Sequence, residues 1–225
     1  MKLSEQTIEI LKNYATLNQS LMFRKGSVLT TITPTSTVYA SSRVVESFPF
    51  DFGIYDLNRL LSKLSLYRDC ELAFDKDRLI IKSADGRRTD YIKYSSPKIM
   101  ILPPSDKTVT LDDPDHEFEL SQEDLLWQRK SAGISNSPYI VFRGDGKHIY
   151  IQSNDPDDDS SDMSSTKIGK TDKTFSFVIK LENWKMLDGS YRVKLRGGKR
   201  GLSKFEHKDK PIEYFIAVES ALSNL

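Results

Sequence analysis

One passage in this chain occurs twice, and a second passage occurs twice around it. "FDFGIYDLNRLLSKL" (50–64) runs an alternating strand into a leucine-striped helix, and "FSFVIKLENWKMLDGSYRVKL" (175–195) repeats the move. Phe50, Phe52 and Ile54 alternate with Asp51, Gly53 and Tyr55, and Phe175, Phe177 and Ile179 recur at the same spacing of two. Asp56 stands where a helix needs a cap, and Leu57, Leu60, Leu61 and Leu64 then share one face. In the second copy Leu181 begins a short helix. Hairpin-like strands follow each copy: "CELAFD", "RLIIKS" and "TDYIKY" after the first, "SYRVKL", "LSKFEH" and "IEYFIAVE" after the second.

Each half also opens alike. "LSEQTIEILKNYATLNQSLMFRKGSVLTTI" from Leu3 and "LSQEDLLWQRKSAGISNSPYIVFRGDGKHIYI" from Leu120 both read Leu-Ser, helix, break, strands. Turns are expected at Lys25-Gly26 and at Gly144-Asp145-Gly146. The chain therefore reads as helix plus strands four times, grouped two and two, which predicts an α+β class with antiparallel sheets backed by helices. The stretch between the halves, residues 95–116, carries Pro97, Pro103, Pro104 and Pro114 and suits an extended connector. The boundary is placed near residue 108, giving domains 1–108 and 109–225.

Charge enters through the helix faces. The chain has 33 basic and 32 acidic residues, net +1, which excludes a uniformly basic nucleic-acid binder but not segregated charge. Lys12 projects opposite Ile10, Leu11 and Tyr14; Arg59 and Lys63 project opposite the leucines. The third helix, 121–132, is poorly amphipathic, with Gln128, Arg129 and Lys130 making it polar and basic; the fourth offers Lys185 beside Trp184. Four helices from equivalent positions would form one basic surface if they lay side by side.

The order and spacing of "MKLSEQTIEILKNYA", "FDFGIYDLNRLLSKLSL" and "FVIKLENWKMLDGSYRVKL" resemble the sliding clamps of T-even-type bacteriophages, the processivity factors of their DNA polymerases. The resemblance runs over essentially the whole chain. It implies the DNA clamp fold: a homotrimeric ring of two-domain subunits, helices lining a hole for duplex DNA and sheets outside. It also implies partners: a clamp loader, a terminal peptide of the polymerase, and the late-transcription machinery. No cofactor is expected. A clamp must hold DNA without reading it, and Lys and Arg give sequence-independent attraction to phosphate while topology supplies retention. The expected DNA-facing set is Lys12, Arg59, Lys63, Arg129, Lys130 and Lys185; the helices follow from the resemblance, the side chains from the helical wheels.

"NDPDDDSSD" (154–162) places Asp155, Asp157 and Asp159 at calcium-loop positions, but Ser160 replaces the turn glycine and Thr166 the bidentate glutamate. No metal is expected there. In clamps the corresponding segment lies near the subunit boundary, facing the last strand of the first domain. Here that implies Asp155, Asp157, Asp158 and Asp159 opposite Arg87, Arg88 and Lys93 of "GRRTDYIKY" in a neighbouring subunit. "YRVKLRGGKRGLSK" (191–204) lacks Walker spacing and reads as a solvated hairpin with Arg192, Lys194 and Arg196 outward. Leu102, Val109 and Val218, near the connector and the C-terminal strand, are the candidates for a partner-peptide pocket, with ordinary core packing as the alternative.

His116, His148 and His207 have no partner at ligand or triad spacing, and Cys70 reads as packing, so no enzymatic activity is expected. One cysteine excludes an intrachain disulfide and, with no secretory apolar core at the start, points to the cytoplasm. The principal rival reading is a non-ring accessory protein that binds single-stranded nucleic acid. It would want exposed aromatics on a basic sheet or groove, whereas Phe50, Phe52, Phe175 and Phe177 occupy core positions.

Overall fold

A computed structural model describes residues 1–104, 109–198 and 201–223. The chain divides into two compact units, Met1–Lys107 and Thr108–Leu225. The expected boundary near residue 108 falls in 105–108, outside the described residues.

The first unit runs α1 (Glu5–Leu17), β1 (Leu21–Phe23), β2 (Gly26–Ile32), β3 (Val38–Phe48), β4 (Phe52–Ile54), α2 (Leu57–Ser65), β5 (Cys70–Phe74), β6 (Arg78–Ser83) and β7 (Thr89–Lys93). A 3-10 turn, Pro97–Ile99, follows. All pairings are antiparallel: β1 with β4, β2 with β3, and β5-β6-β7 in order, with β7 at an edge. Ser4 starts α1 by accepting from the Thr7 amide, and Ile10, Leu11, Tyr14 and Leu17 are buried. Asp56 starts α2 by accepting from the Arg59 amide at 2.8 Å. Leu57, Leu60 and Leu64 of α2 are buried, each stabilising the unit by roughly 2 kcal/mol. Tyr14 ties α1 to the sheet, donating toward the Leu29 carbonyl (3.2 Å) and Ser42 Oγ (3.0 Å).

Beneath β3 and β4 sits an aromatic cluster. Phe23 stacks on Phe52 with ring centroids 4.7 Å apart, and Phe48, Phe74 and Tyr94 close around them. The alternation expected from residue 50 is not realised. Phe50 precedes the strand and is half-buried, while all three residues of β4 are buried. Gly53 explains this: a Cβ there would meet Met100 Sδ and the Ser95 carbonyl, each at 2.7 Å. The bare backbone lets residues 95–100 cover β4 from the second side.

The second unit runs β8 (His116–Leu120), α3 (Gln122–Ser135), β9 (Tyr139–Asp145), β10 (His148–Asn154), β11 (Ser164–Lys170), β12 (Thr174–Lys180), a 3-10 turn (Leu181–Asn183), β13 (Tyr191–Arg196), β14 (Leu202–His207) and β15 (Ile212–Ala217). One antiparallel sheet has the order β11-β10-β9-β12 and another joins β8-β13-β14-β15. Ser121 caps α3 as Ser4 caps α1. Phe142, Phe177, Tyr191, Phe205 and Tyr214 fill the core. The glycine turn falls where the sequence puts it: Gly146 takes φ +85°, and Asp145 accepts from the amides of Lys147 and His148.

The fourth helix is the departure. Leu181–Asn183 makes a 3-10 turn only, and Lys180 before it provides no side-chain cap. The three α-helices of the described residues each begin at Ser or Asp. Without a cap, and with Asp188-Gly189 close downstream, the segment has neither a start signal nor the length to propagate.

Candidate nucleic-acid interface

The six expected cations fall into two groups. Lys12 on α1, Arg59 on α2 and Lys130 on α3 are exposed, as is Lys185 in the coil after the 3-10 turn. Arg59 leans on its own cap, 3.4 Å from Asp56, but its side chain stays 71% exposed. Lys63 and Arg129 are instead engaged by carboxylates.

Lys63 donates to Asp90 on β7, which also accepts the Tyr67 hydroxyl at 2.7 Å. Those two hydrogen bonds, Lys63's foremost, hold the Asp90 carboxyl below its ordinary pKa, and the same contact pushes the Tyr67 phenol up to about 12. Arg129 donates to Asp188 (2.7 Å) and to the Met186 carbonyl (3.1 Å), pinning α3 to the segment after the 3-10 turn. Lys63 and Arg129 thus each carry a carboxylate partner within the chain. Gln128, which helps make the third helix polar in sequence, is fully buried and donates to Thr166 on β11 at 2.8 Å. Successive helical residues are about 100° apart, so 128, 129 and 130 point to the core, the flank and solvent in turn.

In the first unit, Arg59 and Lys63 line a cleft of 470 Å³ together with Lys93, Tyr55, Tyr91 and Ile99. The helical wheels do not bring Lys93, Tyr55 or Tyr91 to this cleft, because all three lie outside the helices. The signal of the two tyrosines was weak, since single exposed aromatics in strands and turns are common. Trp127 (62% exposed) and Ile134 (84%) on α3 were also missed. The wheel places them opposite Leu125, Gln128 and Ala132, the buried face, so their exposure was readable.

Arg87 and Arg88 are exposed just before β7, and Lys93 ends that strand, also exposed. Asp157, Asp158 and Asp159 are exposed and Asp155 half-buried, in the loop between β10 and the edge strand β11. The loop's carboxylates shape its own turns: Asp155 accepts from the Asp157 amide and Asp158 from that of Ser160. Of the pocket candidates, Leu102 and Val109 are half-buried. Val218 is only 7% exposed, packed 3.1 Å from where a Gly201 Cβ would stand, and so offers little surface to a peptide.

Three cations of the basic hairpin have carboxylate partners. Lys194 and Lys204 share Glu206, Lys204 also reaches Glu213, and Arg192 faces Glu117. Lys199 and Arg200 lie outside the described residues. The potentially reactive side chains are structural. His116 stacks on Phe175 with centroids 3.8 Å apart, and His207 Nδ1 accepts from the amides of Asp209 and Lys210. Burial pushes the Cys70 thiol up, away from thiolate chemistry. Among the described residues, no helix is long and apolar enough to cross a membrane.

Two family models match in tandem, "DNA polymerase processivity factor" over residues 2–102 and "gp45 sliding clamp, C terminal" over 117–220. The sliding clamp of Enterobacteria phage T4 is 32% identical, the match covering 98% of this chain and 97% of that protein. The chain belongs to the sliding clamp family. The clamp of Escherichia phage RB69 is likewise 32% identical, over 98% and 97% of the two chains. That of Vibrio phage KVP40 is 28% identical over 98% and 100%. The fold reaches further than the sequence. Proliferating Cellular Nuclear Antigen from Entamoeba histolytica superposes with TM-score 0.70 at 12% identity, covering 97% of both chains. The PCNA2-PCNA3 complex from Sulfolobus tokodaii gives 0.67 at 12%, over 98% and 100%. The α+β class expected from the repeats, and the clamp fold that the resemblance implies, are thus the fold observed. As a clamp, the chain is a polymerase processivity factor that works by binding rather than by catalysis.

Proposed function

We propose that three copies of this chain close into a ring around duplex DNA and tether a replicative polymerase for processive synthesis. The observation that carries the reading is the match to phage sliding clamps at 32% identity, covering 98% of this chain and 97% of each relative. The exposed Lys12, Arg59, Lys130 and Lys185 would face the hole, giving attraction without sequence readout. Two cations held by internal carboxylates suit a protein that retains DNA by topology, because strong phosphate binding would brake sliding.

The finer assignments rest on the same reading. A clamp loader would open and close the ring, and a C-terminal peptide of the polymerase would dock beside the connector near Leu102 and Val109. Late-transcription factors would use the same ring, in the cytoplasm of the host. Two exposed strand edges, β7 and β11, supply a route to assembly. Arg87, Arg88 and Lys93 beside the first would meet Asp155, Asp157, Asp158 and Asp159 beside the second across the subunit boundary.

The deciding experiment loads the protein, with its loader, on nicked circular DNA and then linearises the circle. A ring slides off the ends and is lost from DNA, whereas protein retained after linearisation would sink the encirclement reading. Light scattering that shows only monomer at high concentration would do the same.

A further inference from the structure

The exposed side of α3 is a ridge formed by Glu123, Trp127, Lys130 and Ile134, at spacings of four, three and four residues. All four lie within about 60° of one another on the wheel, directly opposite buried Leu125, Gln128 and Ala132. Trp127 has therefore not been crowded out of a core position; the helix is seated correctly and still presents its indole to solvent. An exposed tryptophan beside an exposed isoleucine leaves apolar area in water that folding alone does not require.

We propose that this ridge is a contact for single-stranded DNA, with Trp127 stacking on an unpaired base and Lys130 meeting the adjacent phosphate. The inference rests on the clamp reading, in which this face of α3 looks into the hole. Three features select the occupant. The ridge is convex, so it suits a flat base laid on an indole rather than a ligand needing enclosure. Every base has a π-face, so stacking adds affinity without sequence preference. The charge is graded along the ridge: Glu123 and Asp124 sit at its N-terminal end and Lys130 between the two apolar side chains. Arg129 adds to this by binding the Met186 carbonyl, which brings the segment carrying exposed Lys185 alongside α3. In a duplex the bases are already stacked on each other, so the contact belongs to the unpaired template beside a primer end.

Tryptophan emission reads this directly, because the chain's other tryptophan, Trp184, is 4% exposed in the core. A single-stranded oligothymidylate should quench the emission saturably, and a blunt duplex of equal length much less. By anisotropy of the labelled oligonucleotide, Trp127→Ala should weaken binding about tenfold and Trp127→Phe clearly less. Lys130→Gln should lower the salt dependence by about one phosphate contact. Absence of quenching, or equal affinity of Trp127→Ala and the parent, would overturn the proposal. So would a blue shift that grows with protein concentration without DNA, since a second copy would then cover the ridge. Retention of the unaltered protein on nicked circles is measured alongside. Quenching without retention counts against the ring and leaves this site standing; retention without quenching counts against this site alone.

Discussion

Asp90 on β7 binds the ammonium of Lys63 on α2, so an edge strand removes one of the two helix cations from the free basic face. The other, Arg59, remains in solvent with only a loose ion pair to its own cap. The two side chains sit one turn apart and have different work. Arg59→Gln should lower the salt dependence of DNA binding by about one unit, while Lys63→Gln should lower it less. Asp90→Asn should release Lys63 and raise the salt dependence instead. Binding titrations over a series of salt concentrations separate these outcomes.

Glu46 on β3 predicts an acid limb to stability. It is 7% exposed and receives hydrogen bonds from the Ser4 amide and the Thr7 hydroxyl, joining the start of α1 to the sheet. Burial pushes its carboxyl up, but the bonds from Thr7 and Ser4 outweigh this and hold it below the ordinary glutamate value. A depressed folded-state pKa means the contribution is complete above the ordinary carboxylate range and is lost as pH falls through the folded value. Glu46→Gln should cost about 2 kcal/mol near neutrality and flatten the acid limb of Tm against pH. An unchanged acid limb would show that the group does not report on this junction.

Gly53 should tolerate no side chain. A Cβ at 2.7 Å from both Met100 Sδ and the Ser95 carbonyl forces the covering segment away from β4, so Gly53→Ala should destabilise by roughly 1–3 kcal/mol. Shortening Met100 in the same chain should recover only part of the loss, because the second obstacle is backbone. Urea midpoints of the parent and the two variants provide the comparison.

Assembly should weaken with salt if the basic residues before and along β7 meet the acidic loop of a neighbouring subunit. Arg88→Glu should lower the oligomer's stability, and pairing it with Asp157→Lys should restore part of it. Sedimentation at low and high salt measures both effects; an oligomer indifferent to salt and to the single reversal would remove this contact from the interface.

The chain pattern alone carried the architecture. Strand alternation at Phe175–Ile179, the Ser4, Asp56 and Ser121 caps, and the leucine stripe of α2 are local signals, because period and cap chemistry depend on neighbours within a few residues. The doubled order of those signals was enough to mark the clamp resemblance. Tertiary structure decided what two of the cations meet. Lys63 and Arg129 read as solvent-facing on their wheels, yet Asp90 is 27 residues from Lys63 and Asp188 is 59 from Arg129, separations at which periodicity carries no information. The burial of β4 on both faces likewise needed residues 95–100 folded back over Gly53. Helical spacing tells which side of a helix a charge occupies; only the packed neighbours determine what that charge meets.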